Sequence, residues 1–201
     1  MYNQYDEKGL KTGLWIERDE RGCLVSEKEY KAGKLNGEYR KFDDKEKLIS
    51  KFTYKDNVLN GKAFYYSDEK LISLENYLNG EKNGERYEWN LKGNPTLIVN
   101  YKTGKKDGAC ITFEKETNIL KNILFYGEDV RLEEIDFEKG KTIGITWYEE
   151  NSPAYNFGFT GNRTVTKNYL IETKLYDILK SRMTEDVIEF LKNTDLKDIF
   201  V

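Results

Sequence analysis

A five-residue turn signature recurs along the first half of this 201-residue chain and constrains its fold more than any other feature. Gly9-Leu-Lys-Thr-Gly13, Gly33-Lys-Leu-Asn-Gly37, Asn57-Val-Leu-Asn-Gly61, Gly80-Glu-Lys-Asn-Gly84 and Gly104-Lys-Lys-Asp-Gly108 follow one another at steps of 24, 24, 23 and 24 residues. A second marker keeps nearly the same step: Tyr30, Tyr54, Tyr77, Tyr101 and Tyr126. Two markers in phase point to one small supersecondary unit used repeatedly, each copy burying its neighbour's flank.

Each unit divides in the same way. After the second glycine comes a short aromatic or β-branched run, as in Leu14-Trp15-Ile16, Tyr39-Arg40-Lys41-Phe42, Phe64-Tyr65-Tyr66, Tyr87-Glu88-Trp89 and Ile111-Thr112-Phe113. A polar turn follows, such as Asp19-Glu20-Arg21-Gly22 or Asn90-Leu91-Lys92-Gly93, and then a second run that ends at the marker tyrosine. Two strands of about seven residues with two turns fill such a unit, which makes it one β-hairpin. The paired glycines read as turn residues, since tight turns demand positive φ. A phosphate-cradling loop would need a helix N-terminus after the glycine, and strand-like runs stand there instead. The marker tyrosines read as a cross-strand packing ladder, with a partner-contacting surface as the alternative.

Gly-x-x-Asn-Gly, an aromatic strand, a polar turn and a second strand ending in Tyr-x-x-Gly resemble the MORN repeat, and more closely its bacterial second variety. The resemblance covers residues 5–148. It weakens after Tyr126: Asp129 stands where glycine is expected, Leu132 to Phe137 reads as a strand, and Gly140-Lys-Thr-Ile-Gly144 restarts the pattern before Ile145-Thr-Trp-Tyr148. Residues 127–150 therefore read as one degenerate unit that has lost part of a hairpin, closing a repeat domain of residues 1–150. The resemblance implies a binding module of the antitoxin or immunity type, an inhibitor that covers a toxin or effector enzyme such as a nuclease. The alternative it implies is a structural scaffold or membrane-proximal adaptor assembling through the repeat sheet.

Residues 151–162 hold a proline, two glycines and polar turn formers and read as a linker loop. Over 163–201 the apolar period becomes helical. Ile171, Leu175, Ile178, Leu179 and Met183 line one expected helix; a second starts at Thr184 with Glu185 and Asp186 in its first turn and Val187, Ile188, Phe190 and Leu191 on its apolar side. The expected fold is mainly β, an elongated antiparallel sheet of consecutive hairpins of about 24 residues, with a C-terminal two-helix appendage that caps it or shares in a partner interface.

Composition then narrows the chemistry. The chain has no histidine, which removes the commonest general base and metal ligand, so no enzyme activity, cofactor or metal is expected. Cys23 and Cys110 lack both the spacing of a zinc site and an activating base, and read as free thiols of a reducing compartment. The N-terminal residues carry no signal-like apolar run, and a cytoplasmic location without membrane contact is expected. A net charge of −3 offers no field for nucleic acid, and none is expected as a partner.

The acidic excess is local. Residues 128–150 hold eight acidic residues against three basic ones. A charge run is ordinarily a solvated face; the alternative is a contact surface whose complementary charge speeds association with a basic protein partner. On that second reading Glu128, Asp129, Glu133, Glu134, Asp136 and Glu138, with Trp147 and Tyr148 of the adjoining aromatic run, are the candidate partner-binding residues.

Overall fold

The computed structural model describes residues 2–138, 141–149 and 152–158. The expected helices of 163–201 lie outside the described residues, and every regular element among those described is a β-strand. The chain divides into two units, Met1–Asn94 with Lys102–Gly104, and Pro95–Tyr101 with Lys105–Val201.

The first unit runs β1 (Gln4–Tyr5), β2 (Lys11–Arg18), β3 (Leu24–Lys31), β4 (Lys34–Phe42), β5 (Leu48–Lys55), β6 (Val58–Ser67), β7 (Lys70–Leu78), β8 (Glu81–Lys82) and β9 (Gly84–Trp89). Each strand pairs antiparallel with the next, except that β7 takes both β8 and β9. The second unit runs β10 (Pro95–Lys102), β11 (Lys105–Phe113), β12 (Leu120–Gly127), β13 (Val130–Glu138), β14 (Lys141–Glu149) and β15 (Ser152–Gly158), again each beside the next. Both units are thus open antiparallel sheets of consecutive hairpins.

Two kinds of turn set this order. The tight turns are two residues long with both φ positive: Ala32–Gly33 (48° and 78°), Asp56–Asn57 (51° and 70°) and Glu128–Asp129 (51° and 71°) among them. This is the geometry whose twist matches that of the flanking strands. The wide turns are tied by a side chain. Oδ1 of Asp19 accepts from the N–H groups of Arg21 and Cys23 at 3.0 and 2.9 Å; Asp43 and Asn90 do the same two and four residues ahead. β6–β7 differs: there Asp68–Glu69 makes a two-residue turn with φ of 49° and 64°. That shortened connection accounts for the single 23-residue step.

The period itself has a hydrogen bond behind it. The second residue of each tight turn donates its N–H one repeat back: Gly33 to the Lys11 carbonyl, Asn57 to Leu35, Gly80 to Leu59, Gly104 to Lys82 and Asp129 to Lys106, at 2.8–2.9 Å. At Asn57 and Asp129 the side-chain oxygen also accepts the N–H of that same residue, Leu35 or Lys106, at 2.7 and 2.8 Å. Asp129 therefore continues the pattern by a reciprocal pair of bonds instead of by glycine.

Two expectations about the later repeats need correction. Residues 127–150 have not lost part of a hairpin: β13 and β14 are both nine residues long and pair antiparallel with each other. Nor is 151–162 a loop throughout, because β15 pairs with β14 and extends the sheet past residue 150. Pro153 is accommodated because it sits near the strand's start, opposite Tyr148 and beside a register shift between Trp147 and Tyr148 where regular pairing is already broken.

Burial separates the units. In the first, the buried side chains are Ala63, Ser26, Ser50 and Glu75, while the larger aromatic and aliphatic residues are half-exposed or, like Tyr5, Ile49 and Leu78, exposed, as on a single layer. In the second, Ile111, Ile123 and Ile135 stand opposite one another across β11, β12 and β13 and, with Phe125, are at most 1% exposed. On neighbouring positions Val99, Cys110 and Leu124 form a cluster packed by Leu97, Tyr101 and Tyr126.

The Asp68–Glu69 turn yields a prediction. Glu69 holds a left-handed φ that favours glycine, and its carboxylate has one exposed ion pair, to Lys47 at 3.6 Å. Glu69→Gly creates the favoured Asp-Gly turn and is expected to raise unfolding free energy by about 1 kcal/mol, read by urea denaturation.

Candidate protein-binding surface

The acidic candidates do not converge on one place. Glu128 and Asp129 form the β12–β13 turn; Asp129 is engaged by Lys106, and Glu128 pairs with Lys105 at 3.3 Å in the open. Glu138 lies at the opposite end of β13, in register with Lys141, about 25 Å from that turn at the rise of a strand. Glu134 and Asp136 are brought together, flanking Asn122, which donates to Glu134 Oε1 at 2.9 Å and stands opposite Asp136 in register. Glu133 alternates with them along the strand and pairs in register with Phe125 and Trp147; Tyr148 pairs with Pro153.

Partial burial, reinforced by the Glu134 charge and opposed by Lys121, raises the Asp136 carboxyl above its ordinary value. A raised folded-state pKa means that folding favours the protonated form. The associated stability is full below the unfolded value of about 4 and is lost as pH rises through the folded value. Asp136→Asn is accordingly expected to melt higher than the parent at neutral pH, with the difference closing as pH falls toward 3, read by circular dichroism melts across that range.

A surface the sequence did not single out lies on the first unit. Register places Trp15, Lys28, Tyr39, Phe52, Ala63 and Glu75 in one cross-strand row spanning β2 to β7. Its rings, with those of adjacent rows, touch in sequence: Tyr5 to Trp15 at 5.1 Å between centroids, Trp15 to Tyr30 at 6.0 Å, Tyr39 to Phe52 at 6.0 Å and Phe52 to Tyr65 at 5.6 Å. Cations lie against this row: the Lys11 ammonium is 4.2 Å from the Trp15 ring centre, and Lys28 is 5.1 Å from that of Tyr39. Lys28 is held by Glu17 at 2.7 Å, and that carboxylate also accepts from the buried Ser26 hydroxyl. Hydrogen bonds from Lys28 and Ser26 lower the Glu17 pKa.

The row ends in a buried charge. Glu75, 6% exposed, accepts from the Tyr77 hydroxyl at 2.5 Å and meets Lys82 Nζ and Arg86 Nε at 3.1 Å each. Burial first, then the hydrogen bond and charge of Glu75, push the Tyr77 phenol well above the usual tyrosine range. The marker tyrosine here anchors a charged cluster whose cations come from β8 and β9. Nothing in the 24-residue period signals that meeting, because it depends on which strands β7 pairs with.

The remaining chemistry is sparse. Cys23 is a half-exposed thiol and Cys110 a buried one. Among the described residues no group of three or more His, Cys, Asp or Glu is placed to hold a metal, and no helix is long and apolar enough to cross a membrane.

No protein-family profile and no curated protein matches the chain. Among solved structures it is similar to TarM, at 13% identity and a TM-score of 0.33, over 49% of this chain and 18% of that one. A Staphylococcus aureus TarM point mutant in complex with fondaparinux, α-GlcNAc-glycerol and UDP is similar at 10% identity and a TM-score of 0.34, over 60% and 21%. The chain thus spans about a fifth of the length of these structures.

Proposed function

We propose that this chain is a non-enzymatic protein-binding module of MORN-like hairpin repeats, acting in the cytoplasm as an inhibitor of the antitoxin or immunity type. It neutralises a toxin or effector enzyme, for instance a nuclease, by direct contact. The observation that carries this reading is the half-exposed row of Trp15, Tyr39 and Phe52 with its flanking cations. Rigid aromatic anchors among charged residues are the composition of binding hot spots. The Glu134 and Asp136 pair adds an acidic contact for a basic partner, where charge affects the rate of encounter more than the final affinity.

Co-expression with the product of the neighbouring gene tests the proposal. A stable co-purifying complex is expected, and Tyr39→Ala with Phe52→Ala is expected to weaken it by roughly a hundredfold, the effect of losing one or two hot-spot residues. Rescue from toxicity without physical association would sink it. Large homo-oligomers in light scattering, with no partner complex, would point instead to the scaffold reading.

A further inference from the structure

We infer a second, basic binding site on the first unit that takes an acidic segment of a protein partner; the inference rests on the protein-binding reading above. A cavity of about 720 Å³ opens at the tight-turn ends of β3 to β6, lined by Lys31, Lys34, Lys55, Asn36, Asn60 and Asp56. Lys31 and Lys34 face each other in register across the Ala32–Gly33 turn, and Lys55 lies one repeat after Lys31. Asn36 and Asn60 are likewise one repeat apart. The repeat thus lays its polar groups along the cleft as a track.

The charges in this track are unbalanced. Four other lysines of the unit are matched by a carboxylate: Lys28 with Glu17, Lys47 with Glu69, Lys51 with Glu38 and Lys82 with Glu75. Lys31, Lys34 and Lys55 make no ion pair, and Asp56 is the one acidic residue among those lining the cleft, with the Glu29 carboxylate engaged by the Glu38 N–H beside Gly37. A cleft lined by one sign of charge raises the local concentration of the opposite one. The lining also decides between anions. Asn36 and Asn60 bring carbonyl acceptors beside their amide donors, and Asp56 brings a carboxylate; a fully ionised phosphate or sulfate has no donor for those acceptors and is repelled by Asp56. A peptide uses both kinds of group, its carboxylates meeting the lysines and its backbone N–H groups meeting the acceptors. A cleft of this size accommodates a segment of a few residues.

Fluorescence anisotropy of labelled hexaglutamate with the full chain tests the site. Binding at low ionic strength that weakens with salt is expected, with a loss of about tenfold or more in the triple variant Lys31→Gln, Lys34→Gln, Lys55→Gln. The control, Lys45→Gln, Lys70→Gln, Lys92→Gln, changes net charge equally at the opposite, wide-turn ends of the same unit's strands and is expected to bind as the parent does. Absence of binding, equal loss in both variants, or tighter binding of pyrophosphate or phosphatidylserine vesicles than of hexaglutamate would overturn the inference. Trp15→Ala separates the two proposals, since Trp15 packs on Tyr5 and Tyr30, neither of which lines the cleft, and its loss is expected to weaken the toxin complex while leaving hexaglutamate binding intact.

Discussion

Phe125→Ala is expected to cost about 3–5 kcal/mol, the largest effect of any single truncation among the described residues. Phe125 is 0% exposed, stands opposite Ala109 on β11, and shares its strand with Ile123, also 0% exposed. Removing the ring leaves a cavity that neighbouring strands, fixed by their hydrogen-bond ladders, do not collapse to fill. Phe64→Ala on β6 is the comparison. That ring is half-exposed beneath the Lys51 ammonium at 4.8 Å, so its loss removes partly hydrated surface and is expected to cost about 1 kcal/mol. Hydrogen exchange on both variants checks the contrast: Phe125→Ala should strip protection from β11, β12 and β13 far more than Phe64→Ala strips it from β5 to β7. Equal losses would mean that burial does not distinguish the two units energetically.

Gly61→Ala is the second large effect, expected at about 2–4 kcal/mol. Gly61 has φ of +123°, outside the conformations L side chains adopt, and a Cβ there would lie 3.0 Å from Thr53 Cβ and 3.1 Å from its methyl carbon. Both belong to a β-branched residue on the paired strand and have little freedom to move aside. Gly9→Ala isolates the backbone component. Its φ is +72° and a Cβ would meet nothing within 4 Å, so about 1 kcal/mol is expected. Urea denaturation of both variants measures the difference, and a Gly61→Ala cost no greater than that of Gly9→Ala would contradict the steric part.

How far these features were legible varies with their range along the chain. The first glycine of each pair, at Gly9, Gly33, Gly80 and Gly104, and the polar turns Asp19 to Gly22 and Asn90 to Gly93 mark turns, because positive φ and side-chain-closed loops are decided within a few residues; the second is not a turn residue, since Gly13, Gly37, Gly61 and Gly108 lie inside β2, β4, β6 and β11, again at positive φ. Asp129 read as a departure from the pattern, yet Asn57 already held the equivalent place with the same reciprocal bonding. Ser152 to Gly158 reads as a loop because proline and glycine outweigh the two-residue spacing of Tyr155 and Phe157, while the strand that makes the segment a strand is its partner β14.

The candidate surface was less legible. Aromatic runs were visible in every repeat, but not the cross-strand row from Trp15 to Glu75. Register shifts between Glu17 and Arg18, Lys41 and Phe42, and Tyr65 and Tyr66 change which residues share a face, so alternation counted from the turn loses its phase. The Glu75 cluster escaped for the same reason, its cations arriving on β8 and β9 after an interrupted strand.

The amino-acid sequence by itself determined the hairpin unit and its period of about 24 residues, since each follows from local backbone conformation and a hydrogen bond that recurs once per repeat. Tertiary structure alone decided which side chains form a half-exposed aromatic face on the first unit and which form the dry Ile111, Ile123, Ile135 and Phe125 core of the second. Strands of similar composition occur in both units, and burial is set by register and by what packs against each face.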